Sequence, residues 1–347
     1  MPDSKLAPDP RVIEFQKMMS SFRKLGMIKE CFHHDKSQCR GDIKQSHSIQ
    51  RNGRLSIIEG DVNGNQSLYT FTSGVVTEKS ILTDLKPLGK KEASTFFGFC
   101  DEHDTKLFSP IENFPFDGSD KHRFLHSYRS YAHSYHRKHE EHRAYNDETL
   151  ELVKRMPAEH LRQMRLALAL ALKDMEGRKG MLDALLEHEE YDGLEYFVFE
   201  KKGLYPFAVS SLMSPKVSYS NRSMNNHLNP DKPFSHPIIT FLPDSDKTFV
   251  VVAAFPDDEM SIRLLDELDA LPDLKVEKAI TSLIIANCEN TFFSPAFWQN
   301  LQKDEKRALL DEFLVNTQGS RYNRKFFHSR FNFFDSRFEI KKLPASK

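Results

Sequence analysis

Cysteine and histidine residues near the N-terminus constrain this chain more than any other feature of its sequence. Three of its four cysteines, Cys31, Cys39 and Cys100, lie within the first 100 residues, among histidines. Cys31 and Cys39 bracket a short polar loop, and Cys100 begins a Cys-x-x-His motif that ends at His103. Zinc binds four ligands in a tetrahedron and prefers thiolate and imidazole. The pattern therefore predicts a Zn(2+) site formed by Cys31, Cys39, Cys100 and His103.

The fourth ligand and the state of the thiols stay open at the level of sequence. Cys-x-x-His at the start of a helix places two ligands one turn apart, which favours His103. Cys31 and Cys39 are joined by a loop rather than a tight knuckle, so other histidines compete for the metal. The alternative ligands are His33, His34 and His47. A disulfide between Cys31 and Cys39 is the alternative to metal binding.

Composition and charge describe an ordinary globular chain. Its 347 residues carry a net charge of -1, with 39% hydrophobic and 29% charged residues. No basic excess or acidic tail points to nucleic acid or to a membrane surface. The N-terminus lacks an apolar signal segment, and the longest apolar runs are too short to cross a bilayer. We therefore expect a cytoplasmic protein with no membrane partner, in which the cysteines stay reduced.

The hydrophobic spacing changes along the chain and predicts an α+β fold in three regions. Residues 1–118 form the β-rich module with the metal ligands, and residues 119–192 have helical spacing. Residues 193–347 combine strand-like runs with helices and predict an antiparallel or mixed sheet. The near-continuous apolar run Thr248–Phe255 indicates a buried central strand.

The N-terminal module resembles the HNH and treble-clef zinc families. The resemblance covers residues 28–110, where the two cysteines are followed by Ser46-His47-Ser48-Ile49 and then by Cys100-x-x-His103-Asp104. It implies a zinc-stabilised treble-clef-like fold and an action on DNA or RNA. It also implies that His47 is the general base that activates water for attack on a phosphodiester bond. Asp104 matches the position of a residue that holds a catalytic cation, Mg(2+) or Mn(2+).

A second interpretation gives the metal a purely structural role. In this alternative the zinc holds the N-terminal module together, His47 supports or joins the ligand set, and the chain is a non-catalytic interaction or sensor protein with a protein partner. Ser46 favours this alternative, since the HNH families often place a metal ligand there. Neither interpretation fixes the substrate or the oligomeric state.

The predicted helix over residues 121–144 carries a periodic row of basic residues. His122, His126, Arg129, His133 and His136 recur at spacings of four and three, so they share one helical face. Tyrosines lie on the neighbouring faces. Such a stripe could follow a phosphate backbone while the rings stack on bases. The alternative is a solvated helix face packed by the tyrosines.

Overall fold

The fold class predicted from the sequence, α+β, is confirmed. The structure, a computed structural model, describes residues 10–71, 75–76, 81–82, 85–225, 232–317 and 329–344. The helices are α1 Pro10–Gly26, α2 Ser56–Ile58, α3 Asp101–Asn113, α4 Asp120–Tyr145, α5 Glu151–Arg155, α6 Ala158–Glu187, α7 Glu259–Asp269, α8 Asp273–Asn287, α9 Pro295–Asn300 and α10 Lys303–Thr317. None of the helices described is both long and apolar enough to cross a membrane.

Strands pair in antiparallel fashion throughout the described residues. They are β1 Ile43–His47, β2 Gly60–Val62, β3 Asn65–Phe71, β4 Val75–Val76, β5 Ile81–Leu82, β6 Leu85–Gly89, β7 Thr95–Cys100, β8 Glu195–Lys202, β9 Phe207–Leu212, β10 Ile238–Asp244, β11 Lys247–Ala254, β12 Thr291–Phe293 and β13 Ile340–Leu343. The main sheet has the order β13-β8-β11-β10-β9-β12-β3-β2, and β6 also pairs with β3. β1 and β7 form a separate ladder next to the metal ligands.

The main sheet draws its strands from both ends of the chain. β12, which follows α8, pairs with β9 on one edge and with β3 from the N-terminal part on the other. β11 lies inside the sheet with Val250, Val251 and Val252 buried, as its apolar run predicts. The first and third predicted regions, residues 1–118 and 193–347, therefore share one sheet, while the described part of residues 119–192 is helical. The boundaries of the three regions stay a prediction.

Helix α4 is buried rather than solvent-exposed. It packs against β7, β9 and β10, against α3 and against the long helix α6. Ser119 caps its N-terminus, since its hydroxyl accepts a hydrogen bond from the His122 amide. The basic row that we expected at the surface is inside the protein: His126, Arg129 and His133 are all buried. Both interpretations of this face as solvated are wrong, because α4 is enclosed by strands of two sheets and by the helices α1, α3 and α6.

Three local sequence patterns predict features that the structure does not have, because burial outweighs the local preference in each case. Ser109-Pro110 predicts the end of a helix, but α3 continues through Pro110 to Asn113, since Phe108 and Ile111 pack in the interior. Gly177 and Gly180 predict a break, but α6 continues through both, although each glycine costs a helix about 1 kcal/mol relative to alanine. Leu55 and Ile57 predict a strand that begins near Arg54, but residues 51–58 form helical turns, and the hairpin begins at Gly60. In each of the three segments, the burial of the apolar residues on either side determines the backbone structure.

Candidate metal centre

Two segments far apart in sequence bring the four predicted ligands together. The loop after α1 carries Cys31 and, after a short 3-10 turn, Cys39, while Cys100 ends β7 and His103 lies in the first turn of α3. Backbone hydrogen bonds fix the loop along β7 and α3. The amides of Glu30 and Phe32 donate to the carbonyls of Phe97 and Gly98, and the amides of Asp101 and Glu102 donate to those of Asp42 and Arg40. The ligands therefore sit on a rigid frame rather than on a free loop.

The loop is shaped by its own side chains. Phe32 is buried and packs edge-on against the rings of Phe99 and Tyr128. Asp35 accepts hydrogen bonds from the amide and hydroxyl of Ser37, which forms the 3-10 turn before Cys39. Gly41 has φ near +70°, a conformation that favours glycine, and a Cβ there would lie 2.8 Å from the Cβ of Asp101. Hydrophobic packing, a side-chain turn and one glycine together direct both loop cysteines toward α3.

The ligand atoms have the spacing of a tetrahedral site. His103 Nδ1 lies 3.3 Å from the sulfur of Cys31, 3.7 Å from that of Cys39 and 3.3 Å from that of Cys100. All four ligand atoms lie within 4.8 Å of one another. Zinc bonds of about 2.3 Å to sulfur and about 2.0 Å to nitrogen would separate S and N by about 3.5 Å in a tetrahedron. The group could therefore hold a metal ion such as zinc.

The thiols also fit a metal electrostatically. Burial raises the pKa of the Cys31 thiol, and burial with the neighbouring Cys31 raises the pKa of Cys39 to about 12. Burial also opposes ionisation of Cys100, but the backbone amides of His103 and Arg40 lower its pKa below the usual value. Three thiols this close cannot all ionise without a cation to offset the repulsion. A divalent metal supplies that charge, and the metal–thiolate bonds replace three protons.

The competing histidines have other positions. The ring of His33 stacks on that of His103, with centroids 3.8 Å apart, and its Nδ1 accepts a hydrogen bond from the Asp35 amide. His34 stacks in turn on His33. Neither belongs to the close group of four ligand atoms. These rings cover one side of His103 and hold its orientation.

His47 lies at the other end of the β1–β7 ladder. Ile43 pairs with Cys100 at the ligand end, and His47 pairs with Thr95, four residues or about 13 Å further along β1. Burial, together with the charges of Arg129 and Arg51, lowers the pKa of His47 to about 4. Its Nε2 is buried and has no hydrogen-bond partner among the described residues. At neutral pH the imidazole is therefore uncharged.

Asp104 and the α3 carboxylate that acts on His47 lie at opposite ends of α3. Asp104 lies in the first turn, directly after the ligand His103. The α3 carboxylate whose charge acts on His47 is Glu112, eight residues or about 12 Å further along the helix axis. The side chains described do not show a shared site for Mg(2+) or Mn(2+) at Asp104 and His47, and this pairing stays a prediction.

Two residues beside His47 carry charge that sequence reasoning did not assign. Arg129 comes from α4 and forms a salt bridge with Glu112 in the last turn of α3. The sequence predicts Arg129 on an exposed stripe, and it predicts a linker over residues 111–118, which include Glu112. The apolar spacing of Leu107, Phe108 and Ile111 was the available signal that α3 continues past Pro110 as far as Glu112.

Comparisons of the chain with protein-family models, with curated proteins and with solved structures found no match. The four-ligand group and the surroundings of His47 are therefore the basis for the functional argument.

Proposed function

We propose that this chain is a zinc-binding, HNH-like protein that cleaves phosphodiester bonds in nucleic acid, with His47 as the general base. The arrangement of β1, β7 and α3 carries the proposal. The two strands pair and α3 follows β7 directly, with the metal ligands at one end of the ladder and His47 at the other. That is the order of elements expected from the resemblance of residues 28–110 to the HNH families.

The metal in this proposal is structural. Three cysteines and one histidine fill all four positions of a tetrahedron, and catalytic zinc sites keep one position open for water or substrate. The bound ion would hold Cys31 and Cys39 against the start of α3. Its contribution to the reaction is to fix the frame on which β1 presents His47.

The uncharged state of His47 at neutral pH supports its role as a base, and its lowered pKa makes it a weak one. An uncharged imidazole can accept a proton from water. In the part of the chain described, no protein group donates a hydrogen bond to Nε2, so this nitrogen is free to accept that proton. The backbone of Lys90 faces the ring and helps to orient it. Arg51 and Arg129 supply positive charge next to the base, where a phosphodiester would place its negative charge.

A non-catalytic interaction protein is the second candidate, and one observation favours it. The two arginines that act on His47 would repel the divalent cation that HNH-type cleavage requires. In this alternative the metal group and the β1–β7–α3 frame serve only to present a surface to a protein partner.

Cleavage of plasmid DNA and of RNA, with and without magnesium or manganese, distinguishes the two candidates. The proposal predicts that wild type cuts at least one substrate and that His47→Ala lowers the rate by about 10²–10⁴-fold while it keeps its metal. His160→Ala, at an exposed position on α6, is the matched control and should cut like wild type. No cleavage of either substrate by metal-loaded wild type would contradict the proposal and favour the second candidate.

A further inference from the structure

A buried arginine lies next to His47 with its hydrogen-bonding capacity only partly used. Arg129 has a relative exposure of 4%, and its guanidinium lies over the ring of Phe108 at 4.4 Å from the centroid. One terminal nitrogen contacts Glu112, but Nε has no hydrogen-bond partner among the described residues. Buried polar groups are nearly always hydrogen-bonded, so an N–H without a partner calls for an explanation. His47, on which the charge of Arg129 acts, also has a buried ring nitrogen, Nε2, without a hydrogen-bond partner among the described residues.

The charged side chains that act on His47 carry a net positive charge. Arg129 and Arg51 both act on its imidazole, and Glu112 is the carboxylate that opposes them. Arg51 contacts the side-chain oxygen of Asn52 at 3.3 Å, and no carboxylate in the described part of the chain lies within salt-bridge distance of it. Two guanidinium groups and one carboxylate leave one positive charge beside the imidazole.

Glu112 connects the buried guanidinium of Arg129 to the protein surface. Its side chain is 36% exposed, while that of Arg129 is 4% exposed. The Gln50 side chain donates to the Glu112 backbone carbonyl and fixes the end of α3 against the chain after β1. An anion arriving from solvent would meet Glu112 first and would compete with its carboxylate for the guanidinium of Arg129.

We propose that Arg51 and Arg129 form a binding site for one phosphate group next to the base His47, and that the Glu112 carboxylate takes the place of that group on Arg129 in the free chain. A guanidinium presents donors in a planar fork that matches phosphate oxygens. Arg129 Nε supplies a further N–H donor, and the unprotonated Nε2 of His47 stays free to accept a proton from water. The identification of the group as a phosphodiester of nucleic acid rests on the proposed function; the phosphate site itself rests on the side chains.

Glu112 and Arg129 variants should change binding in opposite directions. The probes are inorganic phosphate and a short single-stranded DNA oligonucleotide, titrated at low salt into the full metal-loaded chain without added magnesium or manganese. Glu112→Gln removes the competing carboxylate and should tighten binding at least tenfold. Arg129→Gln should weaken binding at least tenfold. Arg143→Gln, an exposed position on the same helix, is the control and should bind like wild type.

Metal content and circular dichroism establish that each variant is folded. If Arg129→Gln does not fold, Arg51→Gln, at a partly exposed position, takes its place and should also weaken binding at least tenfold. Competition between phosphate and the oligonucleotide would assign the site to a phosphodiester. Binding of phosphate alone, with the same dependence on Glu112 and Arg129, would assign it to free phosphate.

The inference is overturned if wild type binds neither probe, or if the Glu112 and Arg129 variants bind like the Arg143 control. Failure of the proposed function looks different. A chain that binds phosphate with the predicted pattern but never cuts DNA or RNA keeps the phosphate site and loses only the nuclease.

Discussion

At the scale of single residues, the metal ligands were predictable and the electrostatic partners were not. Cysteine and histidine have few roles as a close group, so their spacing predicts Cys31, Cys39 and Cys100 as ligands and favours His103 over His33, His34 and His47. Arg129 and Glu112 are ordinary charged residues whose meaning depends on a contact between two helices. The two residues are 17 positions apart in sequence and lie on different helices, so no local sequence pattern predicts their contact.

Replacement of one ligand should release the metal, and replacement of the remaining buried cysteine should not. Cys100→Ser removes a ligand from the centre of the group, so we expect loss of bound metal and a large drop in melting temperature. Cys288→Ser is the matched control, since Cys288 is equally buried but lies outside the group. Metal analysis and thermal unfolding of both variants provide the measurement. Equal metal content in the two variants would contradict the assignment.

A buried ion pair fixes the C-terminal segment. Lys201 and Glu277 are fully buried and 2.6 Å apart, and the second oxygen of Glu277 accepts hydrogen bonds from Asn332 and Ser336 at 2.8 Å each. Lys201→Met leaves a buried carboxylate without its partner and should cost about 3–5 kcal/mol of unfolding free energy. Urea denaturation measures the loss. The double variant Lys201→Met with Glu277→Leu should lose less than the sum of the single variants, and strict additivity would argue against this coupling.

At the scale of elements, hydrophobic spacing predicts most helices and strands. It fails where a polar element is buried by its neighbours. Helix α4 is polar enough to suggest a solvated face, yet it lies inside the protein. Some of its polar groups find partners there: the Ser130 hydroxyl lies 2.7 Å from that of Ser210 and 3.1 Å from that of Thr240. Such pairings across 80 and 110 residues are properties of the packed sheet, so local periodicity cannot reveal them.

Helix α6 offers a test of its unexpected continuity. Gly177 and Gly180 lie in its interior, and a Cβ at either position would meet no atom within 4 Å. Gly177→Ala and Gly180→Ala should each stabilise the protein by about 0.5–1 kcal/mol, because alanine loses less backbone entropy in a helix. Gly26→Ala is the control, since its Cβ would lie 2.5 Å from the Glu140 carbonyl oxygen, and it should destabilise. Chemical denaturation measures all three, and destabilisation by both α6 variants would show that the helix breaks there.

At the scale of the whole molecule, buried histidines link stability to pH. Burial lowers the pKa of His126 and of His133 well below its usual value. Arg54 from the turn before α2, with Arg129 and His122, also acts on His126, and Arg137 and His136 act on His133. Phe96 of β7 packs edge-on against the His133 ring. Both side chains are therefore neutral in the folded protein at pH 7.

The sign of the pH effect follows from these lowered pKa values. Above pH 6.5 both the folded and the unfolded chain hold neutral histidines, and stability is complete. As the pH falls below 6.5 the unfolded chain takes up protons first, so the unfolding free energy should drop by up to about 1.4 kcal/mol per pH unit for each histidine. Denaturation at several pH values checks this. His133→Gln should flatten the dependence and His160→Gln should not; an unchanged slope in both would contradict the account.

The fold class was predictable because alternation and helical spacing survive in most elements, but the joining of distant segments was not. β12 connects the N-terminal hairpin with the strands of the C-terminal part, and it is three residues long. So short a strand gives no periodic signal. The metal group has the same property. The spacing of cysteines and histidines predicts its ligands, but it does not predict the backbone hydrogen bonds that hold the loop on β7.

X-ray absorption of the purified chain, together with its metal content, tests the central claim most directly. The account predicts one zinc per chain, bound by three sulfur atoms at about 2.3 Å and one nitrogen at about 2.0 Å. A chain without metal, or a first shell of any other composition, such as two sulfur and two nitrogen atoms, would contradict the assignment of Cys31, Cys39, Cys100 and His103 as the ligands.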